Sequence, residues 1–334
     1  METATATALS TTNGNAPVKA LAVLGQGAWG TSLTQLAIES GVMARTWSRR
    51  KDVSLTQTVA EADALLCAIS MKGVAELARR LQDIGLPART IVITATKGLD
   101  PETAKTPSQL WQMAFPNNPV VVLSGPNLSK EIDQGLPAAT VAASHDAAAA
   151  TTVQQMFSVE RFRVYTNTDP LGTELGGTLK NVMAIAVGVC DGLRLGTNAR
   201  SALITRALPE VIRIGTQLGA QPETFYGLSG LGDMLATCTS PLSRNYRVGY
   251  GLAEGKSLEQ VLAELGSTAE GVNTSQVLVG LAQREAIPIP ISRQVHQLLT
   301  GQITPRAAVL ALMERELKPE HFDIREFHGE MLGD

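Results

Sequence analysis

The stretch Gly25-Gln26-Gly27-Ala28-Trp29-Gly30 constrains the fold of this chain more than any other. It follows the apolar run KALAVLG (19–25) and leads straight into TSLTQLAIES. A glycine-rich turn between a strand and a helix suits a dinucleotide-binding loop. Gly25 allows the tight turn. Gly27 lets the backbone approach a pyrophosphate, and Gly30 permits close helix–strand packing. The helix start then offers amide donors and a positive dipole to the same anion. The competing reading is a glycine-rich turn with a purely structural role.

Short apolar runs recur after this loop: ARTWS (44–48), ALLCAIS (64–70), TIVITATKG (90–98), PVVVLSG (119–125), TVAAS (140–144) and FRVYTN (162–167). Helical patterns lie between several of them, such as 29–40 and 73–82. This order predicts an α/β fold with a Rossmann-type, doubly wound, mostly parallel sheet. From Asp169 onward the strand signals stop. Helical patterns follow at 170–190, 199–218, 245–254, 257–265, 273–285, 290–299 and 304–316. The expected organisation is a dinucleotide-binding domain over 17–168 and an all-α substrate domain over 169–334. Residues 1–16, rich in Ala and Thr, read as a disordered tail.

The helical half contains a charge in an unexpected place. Between Glu174 and Asp191 the only charged residue is Lys180, in ELGGTLKNVMAIAVGV. Asp169-Pro170 supplies an N-cap and a first-turn proline for this segment. A lone ammonium on a buried helix is costly, and desolvation lowers its pKa towards that of a working proton donor or acceptor. The alternative is a lysine snorkelling from the helix edge.

Ligands of such sheets bind outside the carboxyl ends of the strands. Lys97-Gly98 and Ser124-Gly125-Pro126-Asn127 fall there. Lys97 suits contact with a carbonyl or a phosphate; an ordinary strand-end lysine is the alternative. In GLSGLGDMLATC (227–238), Asp233 reads either as a helix cap or as the partner of a buried lysine. Ser243-Arg244-Asn245 gathers a hydroxyl, a guanidinium and an amide at a helix start, which suits a phosphate dianion. A surface ion pair is the other reading of Arg244.

At the end of the second strand, where NAD sites usually carry a carboxylate, the chain reads Trp47-Ser48-Arg49-Arg50-Lys51. That cluster favours NADP(H), with NAD(H) also usable. The net charge of −3 gives no reason to expect nucleic acid or an anionic membrane as partner. The three cysteines, Cys67, Cys190 and Cys238, are too far apart for a disulfide framework or a CxxC metal site. No metal is expected, and a reduced cytoplasmic setting is. No run is long and apolar enough for membrane insertion.

Taken together these residues resemble NAD(P)-dependent glycerol-3-phosphate dehydrogenase of the bacterial type. The matching motifs are GQGAWGTSL (25–33), ATKGL (95–99), LSGPNLSKE (123–131), ELGGTLKNVMAIAVGVCDGL (174–193), TFYGLSGLGDMLATC (224–238), SRNYRVG (243–249) and AEGVNTS (269–275). They run in family order along nearly the whole globular chain. The resemblance implies interconversion of sn-glycerol 3-phosphate and dihydroxyacetone phosphate, mainly towards glycerol 3-phosphate for phospholipid synthesis. It implies that Lys180 is the general acid/base, that Lys97 touches substrate and cofactor, and that Asp233 tunes Lys180. Gly125, Asn127, Asp233, Ser243, Arg244 and Asn245 match substrate-binding positions. Ala28, Trp29, Arg49, Ser129, Arg244, Thr268 and Glu270 match cofactor-contacting ones. Arg50 joins them on the strength of its charge. A small phosphorylated substrate is the expected partner, and a homodimer the candidate assembly.

The chain departs from the family in three places. The segment after Arg50 is shorter than usual, so an element of the cofactor domain is reduced or missing. Asn127 stands where Ser or Thr is common. Ala68-Ile69-Ser70 lacks the usual proline. Two rival functions fit the same two-domain shape: a reductase of a β-hydroxy or keto acid, and a dinucleotide-binding sensor without catalysis.

Overall fold

Four of the apolar runs become strands buried along their whole length: β1 (Ala20–Leu24) after its first residue, β3 (Ala64–Cys67), β4 (Ile91–Thr94) and β5 (Val120–Ser124). Continuous burial marks interior strands of a sheet covered on both faces. β2 (Met43–Trp47), β6 (Ala138–Ala143) and β7 (Phe162–Asn167) complete a seven-stranded sheet of order β2-β1-β3-β4-β5-β6-β7. All pairs are parallel except β5 with β6. The computed structural model describes residues 18–317 and residue 320, so the tail expected over 1–16 lies outside the described residues.

Helices α1 (Ala28–Glu39), α2 (Leu55–Val59), α3 (Val74–Ile84), α4 (Pro107–Ala114), α5 (Ser129–Asp133) and α6 (Ala147–Phe157) connect the strands. β1 lies between β2 and β3, so the chain reverses direction across the sheet at that point. Sheets of this order bind ligands at that point, outside the carboxyl ends of the strands. The link from β2 to β3 carries only the five residues of α2. β2 is therefore the outer strand, and the shortening read from the sequence is a short turn and helix at the sheet edge.

The remaining described helices are α7 (Pro170–Gly192), α8 (Gly196–Gln217), α9 (Asp233–Thr239), α10 (Arg244–Ala253), α11 (Leu258–Leu265), α12 (Glu270–Arg284), α13 (Pro290–Leu299) and α14 (Pro305–Met313). Nearly every residue of α7 is buried. Its start is fixed by Asp169, whose carboxylate accepts from Gly172 N at 2.9 Å, from Gln221 N at 2.9 Å and from Thr224 Oγ1 at 2.7 Å. α10 crosses α7 in backbone contact. A Cβ on Gly249 would lie 1.9 Å from the Ile185 carbonyl oxygen. Leu175, Leu179, Met183 and Val187 of α7 form the centre of this core with residues of α8, α9 and α12.

Two residues of α7, Thr178 and Glu174, accept hydrogen bonds from the sheet half. Gly98 N donates to Thr178 Oγ1 at 3.0 Å. Ser108 N, in the first turn of α4, donates to the buried Glu174 carboxylate at 3.0 and 3.2 Å, and its hydroxyl donates to the same group. No helix of the described residues is long and apolar enough to cross a membrane.

Candidate active site

Lys180 does not snorkel. It is 7% exposed, and its Nζ turns inward. It donates to Asp233 Oδ1 and, at 2.5 Å, to Thr237 Oγ1. Asp233 opens α9 and is 1% exposed. Its carboxylate accepts from both lysines, and Oδ1 also accepts from Thr237 Oγ1 at 3.3 Å. The second oxygen, Oδ2, accepts from Lys97 Nζ at 2.5 Å. Lys97 follows β4 on the rim of the sheet, and its Nζ also reaches the Gly125 carbonyl at 3.4 Å. One carboxylate thus lies between two ammonium groups. The set carries a net positive charge, which suits an oxygen that becomes negative during reaction.

Burial pushes the Lys180 pKa down to about 8. Asp233 opposes that shift, and the charge of Lys97 reinforces it. A lysine in this range exchanges protons near neutral pH, as acid/base chemistry requires.

The glycine loop turns tightly between β1 and α1. Gly25 has a φ of +120°, and a Cβ there would lie 2.4 Å from the Ala68 carbonyl oxygen. A Cβ on Gly30 would lie 2.2 Å from the Gly25 carbonyl oxygen. Gly27 is the N-cap of α1 with no side-chain cap, and no atom lies within 4 Å of an added Cβ. The backbone at Gly27 is therefore open to approach, and no side chain caps the start of α1. Ala28 is exposed, and Trp29 packs on Phe162 with ring centroids 6.5 Å apart. Arg49 and Arg50 are exposed on the turn after β2. Ser129 is half-buried at the start of α5, beyond the β5 rim.

Other expected residues lie on α10, ahead of α12 and on the loop after β5. Ser243 caps α10 by accepting from Tyr246 N at 3.2 Å. Asn245 Nδ2 donates to Asn181 Oδ1 at 2.9 Å, and its Oδ1 accepts from Gly271 N at 2.9 Å. The Asn245 amide therefore ties α10 to α7 and α12, while Arg244 remains exposed beside it. Burial raises the Glu270 pKa, opposed by Arg244 and Lys72. Thr268 is exposed just ahead of α12. On the β5 loop, Gly125 is pressed against β6: a Cβ would lie 2.9 Å from Thr140 Cα. Asn127 Nδ2 donates to Thr140 Oγ1 at 2.9 Å, and its Oδ1 is buried without a partner.

Three contributors were not singled out from the sequence. Thr237 holds Lys180 from one helical turn beyond Asp233. Its signal was the i, i+4 spacing within DMLATC, visible only once that segment is read as a helix. Asn181 links Lys180's helix to Asn245. Glu174 anchors α7 to α4.

The chain compares with known proteins as follows. The model for the N-terminal part of NAD-dependent glycerol-3-phosphate dehydrogenase matches residues 51–150, and that for the C-terminal part matches residues 169–310. A glycerol-3-phosphate dehydrogenase [NAD(P)+] of Acaryochloris marina is 66% identical over 305 residues, covering 91% of this chain and 98% of that protein. One from a Synechocystis strain is 64% identical over 315 residues, covering 94% and 99%. The crystal structure of glycerol-3-phosphate dehydrogenase from Coxiella burnetii superposes with a TM-score of 0.86 at 33% identity, covering 89% of this chain and 99% of that one. The chain belongs to the NAD-dependent glycerol-3-phosphate dehydrogenase family.

Proposed function

We infer that the protein reduces dihydroxyacetone phosphate to sn-glycerol 3-phosphate with NADPH or NADH, and catalyses the reverse oxidation. The observation that carries this reading is Asp233 held between Lys180 and Lys97 on the rim that also bears the glycine loop. β1, β3 and β4 are neighbours and parallel, so Gly25 and Lys97 emerge on one edge of the sheet. Gly25, Gly27 and Gly30 would hold the nucleotide's diphosphate, and the bound nucleotide would supply hydride chemistry at the substrate's C2.

The chain's own residues do the rest. In reduction, the Lys180 ammonium gives a proton to the oxygen forming on C2. In oxidation, neutral Lys180 takes the hydroxyl proton back. Lys97 stabilises negative charge on the same oxygen. Asp233 and Thr237 hold Lys180 in place. Arg244, exposed at the start of α10, receives the substrate phosphate. Arg49 and Arg50 face the adenosine end and favour a 2′-phosphate. In a reducing cytoplasm, where the buried thiols Cys67, Cys190 and Cys238 stay free, the product supplies glycerophospholipid synthesis.

Steady-state kinetics with dihydroxyacetone phosphate and each nucleotide test the reading, with ketopantoate as the competing substrate. Turnover of dihydroxyacetone phosphate alone is expected. Turnover of ketopantoate alone, or of neither, overturns it.

A further inference from the structure

A hydroxyl on the rim of the site has no partner among the described residues. Ser124 ends β5, is 3% exposed, and its Oγ makes no hydrogen bond. Leaving a buried hydroxyl unpaired is costly unless something else satisfies it. Asn127 Oδ1, three residues further along the same loop, is also buried and unpaired. Thr140 Oγ1 accepts from Asn127 and Ser144 Oγ donates to the Val120 carbonyl at 2.7 Å, whereas Thr94 Oγ1 and Thr173 Oγ1 are also buried without a partner; what sets Ser124 apart is its place against the reactive cluster.

The place of this hydroxyl is set by α7. A Cβ on Gly177 would lie 2.4 Å from Ser124 Oγ, 3.4 Å from Lys97 Cε and 3.7 Å from Asp233 Oδ2. The bare glycine lets a sheet residue and the reactive cluster meet on one face of the helix. Gly177, Lys180 and Asn181 share that face by their i, i+3, i+4 spacing. Gly177 and Asn181 are separated by about 6 Å along the axis, at about 1.5 Å per residue. That is the scale of a three-carbon phosphate ester. Asn181, bonded to Asn245 beside Arg244, marks the phosphate end. Lys180 marks the middle, and Ser124 over Gly177 marks the remaining end.

We propose that Ser124 hydrogen-bonds the C1 hydroxyl of the three-carbon substrate, with Asn127 Oδ1 beside it, and so selects for a terminal hydroxymethyl group. This rests on the dehydrogenase reading. At rest the Lys97 stem lies against the same point while its ammonium is held by Asp233. Aiming the remaining Lys97 donor at the substrate oxygen turns the stem and opens Ser124 to the ligand.

The test compares dihydroxyacetone phosphate with its 1-deoxy analogue, in which a methyl group replaces the hydroxymethyl. Dissociation constants for both, with nucleotide bound, are measured in the parent and in Ser124→Ala. The variant is expected to bind dihydroxyacetone phosphate on the order of three- to tenfold more weakly, one neutral hydrogen bond's worth, with the analogue's affinity unchanged. Equal weakening of both ligands, or of neither, overturns the proposal. If Ser124→Ala does not fold, Ser124→Cys, close in volume and a weaker hydrogen-bonding group, must show the same split in the same direction. Parent turnover of dihydroxyacetone phosphate reports separately on the dehydrogenase reading.

Discussion

Lys97 and Asp233 stand 136 positions apart in the chain and 2.5 Å apart in space. The bond joins the rim of the sheet to the helical half and places both lysines on one carboxylate. Of the three Lys97 donors, one serves Asp233 and one leans weakly on the Gly125 carbonyl at 3.4 Å, so a third is left for a substrate oxygen.

The first prediction concerns pH. Reduction needs protonated Lys180, so kcat/KM for dihydroxyacetone phosphate falls as pH rises through about 8. Oxidation of glycerol 3-phosphate needs the neutral amine and rises through the same range. Asp233→Asn removes the charge that raises this pKa, so both limbs move to lower pH. Lys97→Met removes a charge that lowers it, so both move higher. Lys180→Ala loses about 100- to 10,000-fold in turnover. Limbs that stay put in both charge variants would show that another group titrates.

Arg244→Ala should raise KM for dihydroxyacetone phosphate by about tenfold or more, the scale of one charge-assisted hydrogen bond, with kcat less affected. Initial rates at saturating nucleotide separate the two constants. An unchanged KM rules out the phosphate role.

The glycine loop and the basic turn separate in the same way. Gly27→Ala adds a methyl where no atom lies within 4 Å, so thermal stability holds. KM rises for both nucleotides, because the backbone can no longer approach a diphosphate. Arg49→Ala with Arg50→Ala instead raises KM for NADPH selectively, by on the order of tenfold. A KM ratio between the nucleotides that does not move would remove both arginines from the 2′-phosphate site.

Much of this was legible beforehand. All seven strands coincide with apolar runs, because interior strands must be apolar throughout. Asp169 and Ser243 each cap the helix start that the sequence assigned them. The segment GLSGLGDMLATC was not legible. Its glycines read as a turn, yet Leu228–Gly232 forms a π-helical turn running directly into α9. Thr237 was lost with it. The Lys97–Asp233 bond, the Asn181–Asn245 bond and the unpaired Ser124 hydroxyl depend on side chains brought together by the tertiary fold, and periodicity carries no record of them.

Glu174 gives a stability prediction. Burial raises its pKa from 4.5 to about 7, against the lowering effect of its bonds from Ser108. The folded state therefore holds a proton that the unfolded chain releases. That contribution, up to about 3 kcal/mol, is complete below pH 4.5 and fades as pH rises through about 7. Glu174→Gln has no charge to bury, so its melting midpoint should fall less than the parent's between pH 5 and pH 8. Identical slopes would place the pH dependence elsewhere.

Gly249→Ala should destabilise the fold by about 3 kcal/mol, since its methyl meets the α7 backbone and not a movable side chain. Circular dichroism melts against the parent check this, and an unchanged midpoint contradicts the close crossing.

The bonds that span the two halves also bear on inheritance. Lys97, Gly98 and Ser108 are encoded in the first half, and their partners Asp233, Thr178 and Glu174 in the second. A chimera that joins two relatives between Asn167 and Pro170 keeps each half's own contacts intact. It works as an enzyme only if those three pairs still match across the seam. Recombination at the sequence's most obvious breakpoint is thus constrained by a few hydrogen bonds far from it.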